Sequence, residues 1–223
     1  MRCVGVISAM WSEVELLYLQ MEKVNEIYYA GSKYYVGKLG NVKIVLSVCG
    51  VGKVNAAIYT QIMIDKFEID YLIHTGIAGS MDDSIKHSSV VIADGLTYYD
   101  VRSEQLRNCY PYQEVFIPDE RMIDLLIQSN ETDVRKGLII TGDEFISNKD
   151  RKLDLKRRFP KALCVEMEGC AVANVAFVNN IPFVVIRCIS DLADDSACFD
   201  YESFEIIAAK KATEMVIKIL SLL

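Results

Sequence analysis

The 223-residue sequence predicts an α/β fold in which helices cover both faces of a central β-sheet, giving a three-layer αβα sandwich. Strand-like apolar runs alternate with helix-like segments along most of the chain. Small-residue turns and acidic residues recur where these apolar runs end. The chain has four prolines and no Gly/Ser-rich linker, low-complexity run or solenoid repeat. We therefore expect one domain that spans residues 1–223.

The first element is a predicted buried strand at 2–8, which leads into a helix. Ser12 is the expected N-cap of that helix, with Glu15 three residues later as its capping-box partner. Gly40 and Asn41 predict a hairpin turn between two strands. Further strands are predicted at 34–39, 42–48, 70–75, 89–93, 137–141 and 183–188, and helices at 55–67, 119–128, 148–159, 170–178 and 201–223.

The composition argues against several classes of function. The net charge of −7 disfavours nucleic acid as a partner and suits a neutral or cationic small substrate. No apolar run approaches the roughly 18 residues of a membrane span, and the N-terminus does not resemble a signal peptide. The seven cysteines show no Cys-x-x-Cys spacing, which predicts reduced thiols in a cytoplasmic protein. With only His74 and His87 as histidines, we expect no transition-metal site.

Two glutamates, Glu166 and Glu168, lie between a strand-like run and a helix-like run. If the strand continued, both would project from one face, with Met167 opposite. If a helix begins here, Glu168 lies near its N-terminus, where an ionised carboxylate is favoured. Such a carboxylate can accept hydrogen bonds from a sugar diol or stabilise a cationic centre. The alternative is that both glutamates face solvent at a helix start.

Two more acids follow predicted strands, Glu13 after the first and Asp191 after the last. In open α/β sheets, ligands bind beyond the carboxyl ends of the strands, so both acids are candidates for chemistry. The alternatives are a first-turn acid that complements the helix dipole for Glu13, and an N-cap or turn former for Asp191. Three acids with separate roles suit cleavage of a glycosidic bond through an oxocarbenium-like transition state.

Six stretches in order carry a family resemblance: 7–14, 50–57, 75–79, 142–146, 165–168 and 189–194. Together they resemble the motifs of 5′-methylthioadenosine/S-adenosylhomocysteine nucleosidases, within the purine nucleoside phosphorylase superfamily. The resemblance covers nearly the whole chain and implies a mixed, mostly parallel twisted sheet. It also implies hydrolysis of the N-glycosidic bond without a cofactor, releasing adenine in methionine salvage. The choice among methylthioadenosine, S-adenosylhomocysteine and 5′-deoxyadenosine stays open.

The resemblance implies three catalytic residues. Glu13 would be the general base that activates water. Asp191, oriented by Ser190, would protonate adenine N7, which requires a raised pKa. Glu168 would hold the ribose hydroxyls and stay anionic near the developing cation, with Met167 packed on the ribose.

The resemblance also implies substrate-binding residues around these acids. Phe145 would stack on adenine while the backbone of Ile146 contacts the edge of the base. Val51 and either Tyr201 or Phe204 would line the site for the 5′-thio group. The remaining substrate-binding positions are Met10, Ala78 and Gly79.

The family implies a homodimer in which the neighbouring subunit closes the tail of the site. The tyrosine-rich segment 98–118 is a long predicted loop, and such loops are usually functional or interfacial. Tyr110 and Tyr112 in this segment, and the turn at Met10, are the candidates for that contact.

Two alternative functions remain on the same fold. A phosphorylase would use phosphate in place of water, and phosphate needs cations or many N–H donors. His74 and Ile77 stand where arginine and serine would be expected, and both changes weaken such a site. Ile77 also departs from the nucleosidase pattern. A non-catalytic adenosine-binding protein would be expected to lack Glu13 or Asp191, and both are present.

Overall fold

A computed structural model describes residues 1–128 and 134–223. Nine strands of these residues form one sheet, in the order β2-β3-β4-β1-β5-β8-β7-β6-β9. The strands are β1 Cys3–Ser8, β2 Glu22–Tyr29, β3 Ser32–Leu39, β4 Val42–Val48, β5 Tyr71–Ser80, β6 Val90–Tyr98, β7 Val134–Thr141, β8 Ala162–Glu166 and β9 Phe183–Asp191. The helices are α1 Glu15–Tyr18, α2 Lys53–Phe67, α3 Ser103–Asn108, α4 Glu120–Gln128, α5 Lys149–Arg158, α6 Gly169–Val178 and α7 Ala197–Leu222, with a 3₁₀ turn at Trp11–Glu13.

The sheet is mixed, as predicted. Strand β1 pairs in parallel with β4 and β5, whereas β2-β3-β4 is an antiparallel meander with the predicted turn at Gly40-Asn41. Strand β5 also pairs with both β8 and β9, so that strands β5 to β9 curl into a closed set. This curl brings the carboxyl ends of β1, β5 and β9 next to the end of β8.

Helices cover both faces of the sheet, which confirms the predicted α/β fold. One apolar core contains side chains of α2 and α6, such as Met63 and Val172. The other contains side chains of α4 and α7, such as Leu126 and Val216. In the described part of the chain, no helix has an apolar stretch sufficient to span a bilayer.

The predicted start of the first helix is wrong. Ser12 does not cap a helix, because it lies inside a 3₁₀ turn and the N-cap of α1 is Val14; its hydroxyl donates to Glu205 of α7 at 2.9 Å. The chain instead makes a 3₁₀ turn, in which the inward-facing Glu13 carboxylate accepts the N–H of Met10 at 2.9 Å. Helix α1 begins only at Glu15.

Other differences concern the lengths and number of elements. Strand β2 was not predicted, because this edge strand is largely exposed and its partly buried apolar residues Val24, Ile27 and Tyr29 do not alternate regularly. Strands β5 and β9 run to Ser80 and Asp191, beyond their predicted ends, since small residues there continue the sheet pairing. The predicted loop at 98–118 contains helix α3, and α7 begins four residues earlier than expected.

Candidate active site

The curled sheet surrounds a cavity of about 530 Å³ at the ends of β1, β5 and β9. Most of the residues predicted for the site converge on it. They are Glu13, Glu168, Asp191, Met10, Val51, Ala78, Gly79, Phe145, Met167, Ser190 and Tyr201. These residues are far apart in sequence, so only the sheet topology brings them together.

Two predicted residues lie elsewhere. Ile146 is buried and lines a small adjoining cavity of about 30 Å³, which it shares with Phe145 and Asp191. Phe204 does not line either cavity, because its ring stacks on His87 with the centroids 4.5 Å apart. Of the two alternatives for the 5′ end of the site, it is Tyr201 that faces the cavity.

Glu13 is fixed by the backbone around it. Its Oε2 accepts hydrogen bonds from the hydroxyl of Ser8 and from the N–H of Met10, and its Oε1 accepts the N–H of Ile77 at 3.0 Å. Burial raises the pKa of Glu13, while these hydrogen bonds and the charge of Arg187 oppose the increase. A buried carboxylate with a raised pKa is a stronger proton acceptor than an exposed one.

Asp191 is the last residue of β9, and its carboxylate faces the cavity. The hydroxyl of Ser190 donates to its Oδ2 at 2.8 Å, and the N–H of Ala193 donates to its Oδ1 at 2.9 Å. The turn-forming alternative therefore holds in part, but Asp191 does not cap α7, whose N-cap is Ser196. Burial raises the pKa of Asp191, as a general acid requires.

Glu166 and Glu168 have different environments, contrary to the strand alternation considered above. Strand β8 ends at Glu166, so Met167 lies on the cavity with Glu168 and not opposite to it. Both glutamates are buried, which excludes the solvent-facing alternative. The Glu166 carboxylate accepts the N–H groups of Glu168 and Gly169 at 3.0 and 2.6 Å, as well as the hydroxyl of Thr141.

The N-terminus of α6 therefore stabilises Glu166 rather than Glu168. Within residues 1–128 and 134–223, the Glu168 carboxylate accepts one backbone hydrogen bond, from the N–H of Gly52 at 2.7 Å. Burial, together with the nearby Glu166 carboxylate, raises the pKa of Glu168 to about 8. This direction is opposite to the one expected for a carboxylate at a helix N-terminus.

Arg187 is a residue of this region that the sequence motifs did not assign. It is 1% exposed, and its Nη2 donates to Oε2 of Glu166 at 2.5 Å and to Nε2 of His74. The donor atoms of His74, Glu166 and Glu168 lie within 4.8 Å of one another, a spacing that also suits a metal ion. In this structure the positively charged guanidinium of Arg187 lies between His74 and Glu166, where it takes the place of a metal ion. The sequence feature that could have identified Arg187 is that it is the one charged residue in the apolar predicted strand 183–188.

Comparison with known proteins identifies the family of this chain. The family model described as the phosphorylase superfamily matches residues 4–221. The chain belongs to the phosphorylase superfamily. It is 37% identical over 231 residues to a 5′-methylthioadenosine/S-adenosylhomocysteine nucleosidase of Listeria monocytogenes, covering 97% of this chain and 98% of the relative. The predicted family resemblance is thereby confirmed.

Solved structures of the superfamily have the same fold. The 5′-methylthioadenosine/S-adenosylhomocysteine nucleosidase from Neisseria meningitidis, in complex with methylthio-immucillin-A, matches with a TM-score of 0.96. The two sequences are 32% identical, and the match covers 100% of both chains. Futalosine hydrolase of Helicobacter pylori matches with a TM-score of 0.93 at 27% identity, over 100% of this chain and 98% of that one. Both relatives are named for substrates or activities that need a site for a small molecule.

Proposed function

We propose that this chain hydrolyses the N-glycosidic bond of 5′-methylthioadenosine and S-adenosylhomocysteine, releasing adenine and the 5′-substituted ribose. The observation that carries the proposal is the convergence of Glu13, Glu168 and Asp191 on one cavity. Burial raises the pKa of each of these carboxylic acids. The names of the Listeria and Neisseria relatives support the same reaction.

The two catalytic proton transfers belong to opposite sides of the scissile bond. Glu13 takes a proton from the attacking water, and Asp191 donates a proton to N7 of the leaving adenine. The Ser190 hydroxyl and the Ala193 N–H hold the Asp191 carboxyl in one orientation. Each proton transfer contributes about 10²–10⁴-fold to the rate.

Glu168 and the apolar lining position the nucleoside. The Glu168 carboxyl group binds the ribose hydroxyls. With its pKa raised to about 8, the ionised form is the minor one at neutral pH in the free protein, and it is this form whose negative charge stabilises the oxocarbenium-like transition state. Met167 packs on the ribose, Phe145 stacks on adenine, and the backbone of Ile146 contacts the edge of the base. Val51, Met10 and Tyr201 surround the 5′-thio group, while Ala78 and Gly79 form the wall beside Asp191.

Water, not phosphate, is the proposed nucleophile. Among the described residues, no lysine or arginine side chain lines the cavity, whereas Glu13, Glu168 and Asp191 do. A phosphate dianion beside these carboxylates would lack the cationic partners that it needs. The apolar side chain of Ile77 on the same wall also offers it no hydroxyl group.

Adenine release from methylthioadenosine, measured in phosphate-free buffer with and without added phosphate, tests this function. We expect phosphate-independent release in the parent and in Glu15→Gln, an exposed control two residues away, and loss of release in Glu13→Gln. Release only with phosphate would show a phosphorylase. Binding without release would show an adenosine-binding protein.

Futalosine is the second candidate substrate, because the likeness to the Helicobacter pylori hydrolase also covers the whole chain. Comparing kcat/KM for futalosine, methylthioadenosine and S-adenosylhomocysteine under the same conditions separates the candidates. We expect the two adenine nucleosides to be the better substrates, in line with the 37% identity to the Listeria nucleosidase. A larger kcat/KM for futalosine would reverse the assignment.

We further propose that the chain acts as one domain over residues 1–223, in the cytoplasm and in methionine salvage, as a homodimer. Exposed apolar side chains support the dimer: Tyr110 and Tyr112, together with Val54 and Ile58 of α2. Met10 is a weaker candidate for the partner contact, because its sulfur accepts the Tyr201 hydroxyl inside the cavity. Sedimentation equilibrium tests the dimer, and a monomer at micromolar concentration would contradict it.

A further inference from the structure

We propose that His74 is a positioning residue for the reaction and acts through Arg187. It holds the guanidinium at the place from which its positive charge reaches Glu13. The inference rests on the proposed function, because it assigns the role of general base to Glu13. It adds a residue that the family motifs do not include.

The tautomer of His74 follows from its neighbours. The side chain lies in β5 and is 1% exposed. Its Nδ1 is 2.9 Å from the carbonyl oxygen of Ile7, which can only accept, so Nδ1 carries the hydrogen. Nε2 then keeps a lone pair, and it faces Nη2 of Arg187, which can only donate. The two contacts therefore require the same neutral tautomer.

Arg187 is held at three points by buried groups. Its Nη2 donates to His74 and to Glu166, and its Nη1 donates to the carbonyl oxygen of Ile186 at 3.1 Å. Its Nε has no hydrogen-bond partner among the described residues. With an unsatisfied Nε, the orientation of the guanidinium depends on these few contacts. His74 is the only one of the three acceptors that is a neutral side chain.

Gly76 shows how close this guanidinium is to the proposed base. A Cβ placed on Gly76 would lie 2.7 Å from Oε1 of Glu13 and 3.3 Å from Nη1 of Arg187. The carboxylate and the guanidinium thus flank one point on β5, directly after His74 and Thr75. The charge of Arg187 lowers the pKa of Glu13, against the larger effect of burial.

Groups from every surrounding element act on Glu13. Ser8 of β1 and the N–H groups of Met10 and Ile77 donate to its carboxylate, while Arg187 approaches from β9. The other titratable groups that interact with it are Glu168, Cys49 and Tyr201. Arg187 is the one cation in this set of described residues, so a change in its position changes how easily Glu13 ionises, alongside the larger effects of burial and the Ser8 hydrogen bond.

His74 itself stays neutral while the site works. Burial and the charge of Arg187 lower the pKa of His74 well below its ordinary value. The ring is therefore a permanent acceptor for the guanidinium and does not take part in the proton transfers. Its effect on the rate passes through the orientation of Arg187.

Two substitutions of His74 each keep one of the two hydrogen bonds of the imidazole and remove the other. In His74→Asn, the amide nitrogen can replace Nδ1 as donor to Ile7, but the acceptor for Arg187 is lost. In His74→Gln, the amide oxygen reaches the position of Nε2 and keeps that acceptor, while the donor to Ile7 is lost. Met215→Ala, a truncation in the α7 core, controls for a general loss of stability.

The test is the pH profile of kcat/KM for methylthioadenosine, with the melting temperature measured for each variant. We expect the acid limb of His74→Asn to move up by about one pH unit, which lowers kcat/KM about tenfold at pH values below the limb. The reason is that the charge of Arg187 lowers the pKa of both Glu13 and Glu168, so both become harder to ionise when the guanidinium moves. His74→Gln and Met215→Ala should keep the parental limb even where their melting temperatures fall.

Other results would contradict either the positioning role of His74 or the proposed function. A parental acid limb in His74→Asn, or an equal shift in His74→Gln, would overturn the positioning role. Equal losses of kcat/KM at every pH in all three variants would assign His74 a structural role only. If the parent releases no adenine, the proposed function has failed instead, and the two failures are thereby distinguished.

Discussion

Arg187 and Glu166 form an ion pair in which Nη2 lies 2.5 Å from Oε2 and neither side chain is more than 2% exposed. The Glu166 carboxylate also accepts two N–H groups at the start of α6. The pair therefore joins β9 to the turn that carries Met167 and Glu168. Because both charges are sealed from water, each depends on the other for its stability.

Removing one partner of this pair is expected to destabilise the fold. Arg187→Met should lower the free energy of unfolding by about 3–5 kcal/mol, because Glu166 would be left as an unpaired buried charge. Arg187→Met combined with Glu166→Gln should recover part of this loss. Urea unfolding of the parent, both single variants and the double variant measures the coupling. Additive losses would show that the two charges do not stabilise each other.

Asp191→Asn tests the proposed general acid. The amide oxygen can still accept the N–H of Ala193, and the amide nitrogen can donate to the Ser190 hydroxyl, but the amide cannot protonate the leaving adenine. We expect kcat for adenine release to fall by about 10²–10⁴-fold with little change in melting temperature. Asp194→Asn is the matched control, since Asp194 bonds Ser196 at the start of α7 and lies outside the cavity lining. Similar losses in both variants would argue against the acid role.

Gly76→Ala tests the placement of the base without changing its chemistry. The new Cβ would lie 2.7 Å from Oε1 of Glu13, so the carboxylate must move away from its hydrogen bonds. A displacement of about 1 Å is expected to lower kcat by about 10²-fold. Gly95→Ala is the control, because its Cβ would meet Val115 at 2.8 Å instead. Equal losses of kcat in the two alanine variants would contradict this reading.

Glu168→Gln should separate activity from stability. In the folded chain the pKa of Glu168 is raised from 4.5 to about 8, so between these values the folded state holds a proton that the unfolded state has released. The free energy of unfolding therefore falls as pH rises through this window, by up to about 1.4 kcal/mol per pH unit for this group. In Glu168→Gln this group no longer titrates, so it no longer lowers the free energy of unfolding as the pH rises.

We thus expect the melting temperature of Glu168→Gln, relative to that of the parent, to be higher at pH 8.5 than at pH 5. The variant should also lose adenine release. Differential scanning calorimetry at the two pH values measures the difference. Glu214→Gln removes an exposed carboxylate on α7 and controls for the change in net charge. A difference between parent and Glu168→Gln that does not change with pH would contradict the raised pKa.

Much of the fold and most of the site were predictable from local patterns. Apolar runs marked the buried strands, as for Val42–Val48, whose predicted and observed bounds agree. Motifs placed Glu13 and Asp191 at strand ends, and the sheet brings both to the cavity. Strand β2 was missed because this largely exposed edge strand has only a short, irregular apolar pattern. The resemblance left Tyr201 and Phe204 as alternatives, and only the structure shows that Tyr201 lines the cavity while Phe204 stacks on His87.

The sequence by itself determined the alternation of strands and helices, the superfamily and the identity of the three candidate acids. Those properties depend on residue types and their spacing along the chain. Both Glu166 and Glu168 line the cavity, but only the tertiary structure decided that Glu166 takes the α6 N–H groups while Glu168 has a raised pKa. It also decided that His74 and Arg187, 113 positions apart, share a hydrogen bond. Burial and charge proximity set these properties, and both arise only when distant strands pair.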